Sequence, residues 1–164
     1  MNIVVLSPSG KTFVRPDTTW ERDNEDFYVP EFISRISASR VLYVRVCKPG
    51  RSVGEKFAER YYDSFGYGAL LYPEDLIDGS PEGFACASCL DHSSFLSGEL
   101  SPKEKLDPGL RERVCRAIAE VTRFCYIRIG DLIAIETSPR EALCSRKAGS
   151  FHYTEGSCDF KIIF

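Results

Sequence analysis

Apolar residues recur at helical spacing over only one long stretch of this chain. Leu110, Val114, Ala117, Ile118, Val121 and Cys125 form one stripe, and Arg111, Glu112, Arg113, Arg116, Glu120 and Arg123 line the other side. Asp107 is a capping residue and Pro108 suits a first helical position, so the spacing predicts a helix over residues 108–125. A solvated face over a core face accounts for this helix fully, with Glu112 and Arg116 spaced for an i,i+4 pair. A chain of 164 residues with one such helix is neither a helical bundle nor an alternating βαβ array.

The remaining apolar residues fall in short blocks that read as strands. NIVVL (2–6) and KTFV (11–14) flank the turn Ser7-Pro8-Ser9-Gly10. VLYVRVC (41–47), rich in β-branched and aromatic residues, ends in the turn Lys48-Pro49-Gly50-Arg51. YIRI (126–129), the turn Gly130-Asp131, LIAIET (132–137) and CDFKIIF (158–164) follow the long helix. VGEKFAERYYDS (53–64) predicts a short helix, and the polar residues 15–30 read as a loop. Residues 77–107, punctuated by Gly79, Pro81, Gly83, Gly98 and Pro102, carry little periodicity. Strands dominate, so the fold class is α+β, with mixed sheets and a few short helices.

One unit stands out. GYGALLYPEDL (66–76) reads as a strand running into a helix start at Pro73-Glu74-Asp75, a common place to present a reactive group. The residue at the delivery point is Leu70, which carries no reactive group.

Bulk properties exclude some partners. A net charge of −3 gives no footprint for nucleic acid or an anionic membrane surface, and no apolar run reaches membrane-spanning length. MNIVVLSPSG lacks a basic leader, so the expectation is a cytoplasmic protein without a signal peptide. The seven cysteines are then expected to be reduced thiols.

Two local strings carry residue types capable of chemistry. Cys86-Ala87-Ser88-Cys89, with His92 beyond, is a C-x-x-C that could begin a zinc site or a redox module. The nearest further ligands, Cys47, Cys115 and His152, are distant in sequence. Asp91-His92-Ser93 reads as a polar loop, since triads assemble in space and not along adjacent residues.

Several longer stretches resemble the fumarylacetoacetate hydrolase family, in its short single-domain bacterial form. They are VRPDTTWERDNEDFYVPEF (14–32), VLYVRVCKPGRSVGEKFAERYYDSFGYGALLYPEDL (41–76), GDLIAIETSP (130–139) and the closing CDFKIIF. The resemblance implies a mixed β-roll of several sheets and a single domain over residues 1–164. Relative to the family, this domain lacks an N-terminal loop that carries a catalytic His/Glu dyad. It also lacks most of a hairpin before the 108–125 helix. Family members bind Mg²⁺ or Mn²⁺ through three carboxylates and act on β-dicarbonyl acids by C–C hydrolysis, decarboxylation or isomerisation. The ligand positions fall on Ser39, Val41 and Leu70, none of them an acid. A family lysine falls at Ser88. The carboxylate-binding Thr-Gly-Thr-Pro motif becomes Ile135-Glu136-Thr137-Ser138.

The expectation from these departures is a catalytically degenerate protein with a binding or structural role and no cofactor. The resemblance further implies a homodimer, or a heteromer with an intact paralogue. One alternative is an active Mg²⁺- or Mn²⁺-dependent enzyme with a site rebuilt from Glu74, Asp75, Asp78 and Glu82. Another is a zinc or redox module on Cys86, Cys89 and His92.

Overall fold

The computed structural model describes residues 1–164. The strands are β1 (Asn2–Leu6), β2 (Thr12–Pro16), β3 (Trp20–Glu21), β4 (Phe27–Tyr28), β5 (Arg35–Val46) and β6 (Tyr62–Pro73). They continue as β7 (Ser94–Leu96), β8 (Ser101–Pro102), β9 (Leu132–Glu136), β10 (Glu141–Ser145), β11 (Phe151–Glu155) and β12 (Cys158–Ile163). The helices are α1 (Pro81–Ser88) and α2 (Pro108–Val121). Nine strands form one sheet with the path β2-β1-β9-β5-β6-β7-β3, β10 joining β5 and β8 joining β6. A three-stranded sheet runs β11-β12-β4. The class is α+β, as the sequence implied.

The two twelve-residue strands β5 and β6 form the spine, paired antiparallel along nearly their whole length. Their glycines are explained by close packing. A Cβ on Gly66 would sit 2.5 Å from the Tyr43 ring, and one on Gly68 would sit 2.3 Å from the Phe95 carbonyl oxygen. The other edge of β5 is divided. Its residues Val41–Arg45 pair with β9, while Arg35–Ala38 pair with β10. The chain leaves β9 at Glu136 and rejoins β5 at Glu141, and between the two strands Thr137 and Ser138 bond the Arg40 backbone.

Alternation sorts the spine into two faces. Leu42, Val44, Ile133 and Ile135 pack with Val4 on the stripe Val114, Ala117, Ile118 and Val121 of α2. Each of the buried Val, Leu and Ile side chains contributes about 1.5–3 kcal/mol. The opposite, inner face carries Ile3, Val5, Val41, Tyr43, Leu70, Tyr72, Leu96, Leu132 and Ala134.

Several local expectations are corrected. Residues 53–64 are not an α-helix: Glu55–Arg60 form a 3-10 turn and Tyr62 already pairs with Val46 as the start of β6. Pro73-Glu74-Asp75 opens only a 3-10 turn over Glu74–Leu76. The helix in this region begins at Pro81, where the Ser80 hydroxyl accepts from the Gly83 amide. The polar segment 15–30 contains β3 and β4. YIRI makes a single bridge, Ile127 to Gly50. Asp107 does cap α2, accepting from the Gly109 amide, but the helix ends at Val121, before Cys125. Arg116 lies 4.0 Å from Glu55 and makes no pair with Glu112. No helix is long and apolar enough to cross a membrane.

Candidate functional site

Register brings the singled-out residues of the spine together. Ser39 lies directly opposite Leu70, Leu70 lies opposite Ser94, and Val41 lies opposite both Gly68 and Glu136. Ser39, Val41, Leu70 and Glu136 therefore share the inner face, and all four are buried. Leu70 is at 0% exposure, packed among apolar neighbours.

A polar network surrounds that leucine. Glu136 Oε1 accepts the Ser39 hydroxyl at 2.5 Å and the Tyr72 hydroxyl at 2.7 Å. The fully buried Arg15 guanidinium lies 4.7 Å from the centre of the Tyr72 ring. Arg15 donates through Nη1 to the Ser93 carbonyl (3.0 Å) and Ser94 Oγ (2.7 Å), and through Nη2 to the Leu71 carbonyl (2.6 Å). Ser94 Oγ also meets Thr19 Oγ1 at 2.9 Å. Burial lowers the Arg15 pKa from its ordinary value, with Tyr72 and then Glu136 acting in the opposite direction. Burial likewise pushes the Tyr72 phenol well above its usual range, so it stays a neutral donor to Glu136.

A hard divalent cation needs several oxygen ligands converging on one point. The donor set here does not fit one. Val41 and Leu70 offer no oxygen ligand, and Ser39 is committed to Glu136. Nowhere do three His, Cys, Asp or Glu side chains come together as a metal would require.

The acids of the rebuilt-site alternative are engaged separately. Glu74 accepts the Ser37 hydroxyl and pairs with Arg140 Nε at 2.9 Å. Asp75 accepts from the Ser34 hydroxyl at 2.6 Å and from the Ser34 and Arg35 amides at 2.9 Å. Asp78 caps Ser80, and Glu82 is exposed on the first turn of α1. Ser88 is buried in α1 and donates to the Phe84 carbonyl. Thr137 is exposed and donates to the Arg40 carbonyl, so it brings no group to the inner face.

The β1–β2 turn, α1 and the segment following β9 enclose a cleft of about 390 Å³ beside this network, lined by Tyr72, Phe13, Phe84, Glu136, Lys11 and Arg140 among others. A larger groove of about 830 Å³ lies elsewhere, lined by Cys86, Cys89, His92, Glu21, Tyr28 and Phe32 among others. It gathers the C-x-x-C and His92 along one surface, but His92 Nδ1 is 3.1 Å from Glu21 Oε2 and the thiols meet no further ligand. The smaller cleft holds the buried polar groups, and we regard it as the candidate site.

The thiols differ sharply in accessibility. Cys86 and Cys89 are exposed, whereas burial raises Cys144 and Cys158 to about 11. Brief alkylation at pH 8 followed by mass spectrometry is expected to label Cys86 and Cys89 first and leave Cys144 and Cys158 unmodified. Zinc protection of the first pair would revive the metal-module alternative.

Arg15, Tyr72 and Ser94 were not singled out from the sequence. The one available signal is in TFVRP, where Phe13 and Arg15 turn inward and Val14 outward, the reverse of what side-chain polarity suggests for Val14 and Arg15.

No protein-family model matches the chain, and no curated protein matches it in sequence. Solved structures match its fold. A Burkholderia cenocepacia protein assigned as a fumarylpyruvate hydrolase aligns with TM-score 0.78 and 18% identity, over 99% of this chain and 87% of its own. A Yersinia pestis CO92 protein assigned to the fumarylacetoacetate hydrolase family aligns with TM-score 0.74 and 17% identity, over 88% of this chain and 83% of its own. The fumarylpyruvate hydrolase of Pseudomonas aeruginosa, solved with Mn²⁺ and pyruvate, aligns with TM-score 0.73 and 14% identity, over 88% and 81%. At these identities the likeness is one of fold.

Proposed function

We propose that this chain carries the fold of those hydrolases without their metal chemistry, and serves as a binding or structural protein. The observation that carries the reading is the filling of the inner face around Leu70. Where the resemblance places metal ligands, an aliphatic side chain at 0% exposure sits between Ser39 and Ser94. The hydroxyls of those serines are bound to Glu136 and Arg15. Glu136 further supports it, because a carboxylate where a substrate carboxylate would bind repels that group.

The test is turnover. Fumarylpyruvate with Mn²⁺, followed by its ultraviolet absorbance, is expected to decay in the presence of this protein no faster than in buffer. Saturable, Mn²⁺-dependent hydrolysis would overturn the reading.

A further inference from the structure

We propose that the cleft between the β1–β2 turn, α1 and the segment following β9 binds a small zwitterion, its ammonium group on Glu136 and its carboxylate on Lys11. The inference rests on the reading of the chain as a binding scaffold and names the ligand class of that scaffold.

Glu136 is only 7% exposed, yet it lines the cleft and is the one carboxylate that does so. Both internal donors, Ser39 and Tyr72, bond to Oε1, and Oε2 has no hydrogen-bond partner within the protein. A carboxylate so deeply buried is costly unless donors complete its hydrogen bonding, and an ammonium group entering the cleft supplies them.

The walls suit the same group. Phe13 meets Phe84 edge to face with centroids 4.9 Å apart, and Phe84 stacks on Tyr72 at 6.2 Å. The Arg15 and Arg140 guanidiniums already lie 4.7 and 5.5 Å from the centre of the Tyr72 ring, which leaves the Phe13 and Phe84 rings to attract an ammonium group and pack against an apolar linker. The rim carries two cations of different standing. Arg140 is compensated by Glu74 at 2.9 Å. Lys11 is exposed and makes no ion pair. A simple anion would meet the Glu136 charge, and a simple cation would meet Lys11. A molecule bearing both charges satisfies both ends, and about 390 Å³ is room for one.

Three probes of one carbon skeleton separate the charges: 6-aminohexanoate, hexylamine and hexanoate, titrated against the full chain while the melting temperature is followed. Saturable stabilisation by 6-aminohexanoate at millimolar concentration is expected, with each single-charge probe at least tenfold weaker. Lys11→Gln lies on an exposed turn and leaves the fold intact. It is expected to bring 6-aminohexanoate down to the level of hexylamine. Glu136→Gln, which can still accept from Ser39 and Tyr72, is expected to remove the preference for the amine. No stabilisation by 6-aminohexanoate, equal or better stabilisation by hexanoate, or an unchanged response of Lys11→Gln would each overturn the proposal. These outcomes are independent of the turnover assay, so failure of the ligand class and failure of the non-enzymatic reading are distinguishable.

Discussion

Leu70→Asp is expected to destabilise the protein by about 3–5 kcal/mol, and Mn²⁺ is expected not to restore the loss. In a scaffold one residue short of a metal site, the same substitution would supply a ligand and gain metal-dependent stability. Here Leu70 is at 0% exposure on the inner face, flanked by Ser39 and Ser94 across the two ladders. Those hydroxyls already serve Glu136 and Arg15. A new carboxylate would be buried beside an existing one without free donors. Leu70→Ala separates packing from charge: cavity formation alone costs about 2–5 kcal/mol, and metal leaves that cost unchanged. Urea melts of the three proteins, with and without Mn²⁺, read the difference.

The second large effect is expected at Arg15. Arg15→Met keeps much of the side-chain volume but leaves the Ser93 and Leu71 carbonyls and Ser94 Oγ without their donor. It also removes the cation that lies against Tyr72. The expected cost is about 3–5 kcal/mol, since a buried polar network is left half satisfied. For a domain of this length that is a fall on the order of 10 °C in melting temperature. Arg15→Lys is expected to recover little, because a single ammonium cannot reproduce a planar fork that reaches three acceptors. A melting temperature within a degree or two of the wild type for Arg15→Met would show that the network does not hold the inner face together.

Local order was legible in the sequence where a local rule governed it. Asp107, Pro108 and a six-residue apolar stripe located α2 at its start, and the cap was found as expected. Its end was misjudged because Cys125 continues the period, whereas the chain turns at Thr122, whose Oγ1 accepts from the Val53 amide. Residues 53–64 have helical composition, but pairing of Tyr62 with Val46 draws the chain into β6 two residues after Arg60. Long-range ladder formation overrode local propensity there. The short helix α1 carried visible signals in Ser80 and Pro81, but its few apolar positions gave no stripe.

The candidate site was half legible. Leu70, Ser39, Val41 and Glu136 were named from the resemblance, and the strand register gathers them on one face. The hydrogen bonds that define the site join residues 97 and 64 positions apart, Ser39 and Tyr72 with Glu136. No spacing rule within one sequence reaches that far. Arg15 was invisible for a further reason: an arginine in a short strand is ordinarily placed facing water, and only the fold turns this one inward.

The most direct measurement of the central claim is thermal unfolding of the wild-type chain in chelator, in millimolar Mg²⁺ and in millimolar Mn²⁺. A cation that binds the folded state and not the unfolded chain must raise the melting temperature as its concentration rises. With Leu70 buried among apolar side chains and Glu136 held by Ser39 and Tyr72, the three melting curves are expected to coincide. A concentration-dependent rise with Mn²⁺ or Mg²⁺ would contradict the claim that this fold has given up its metal.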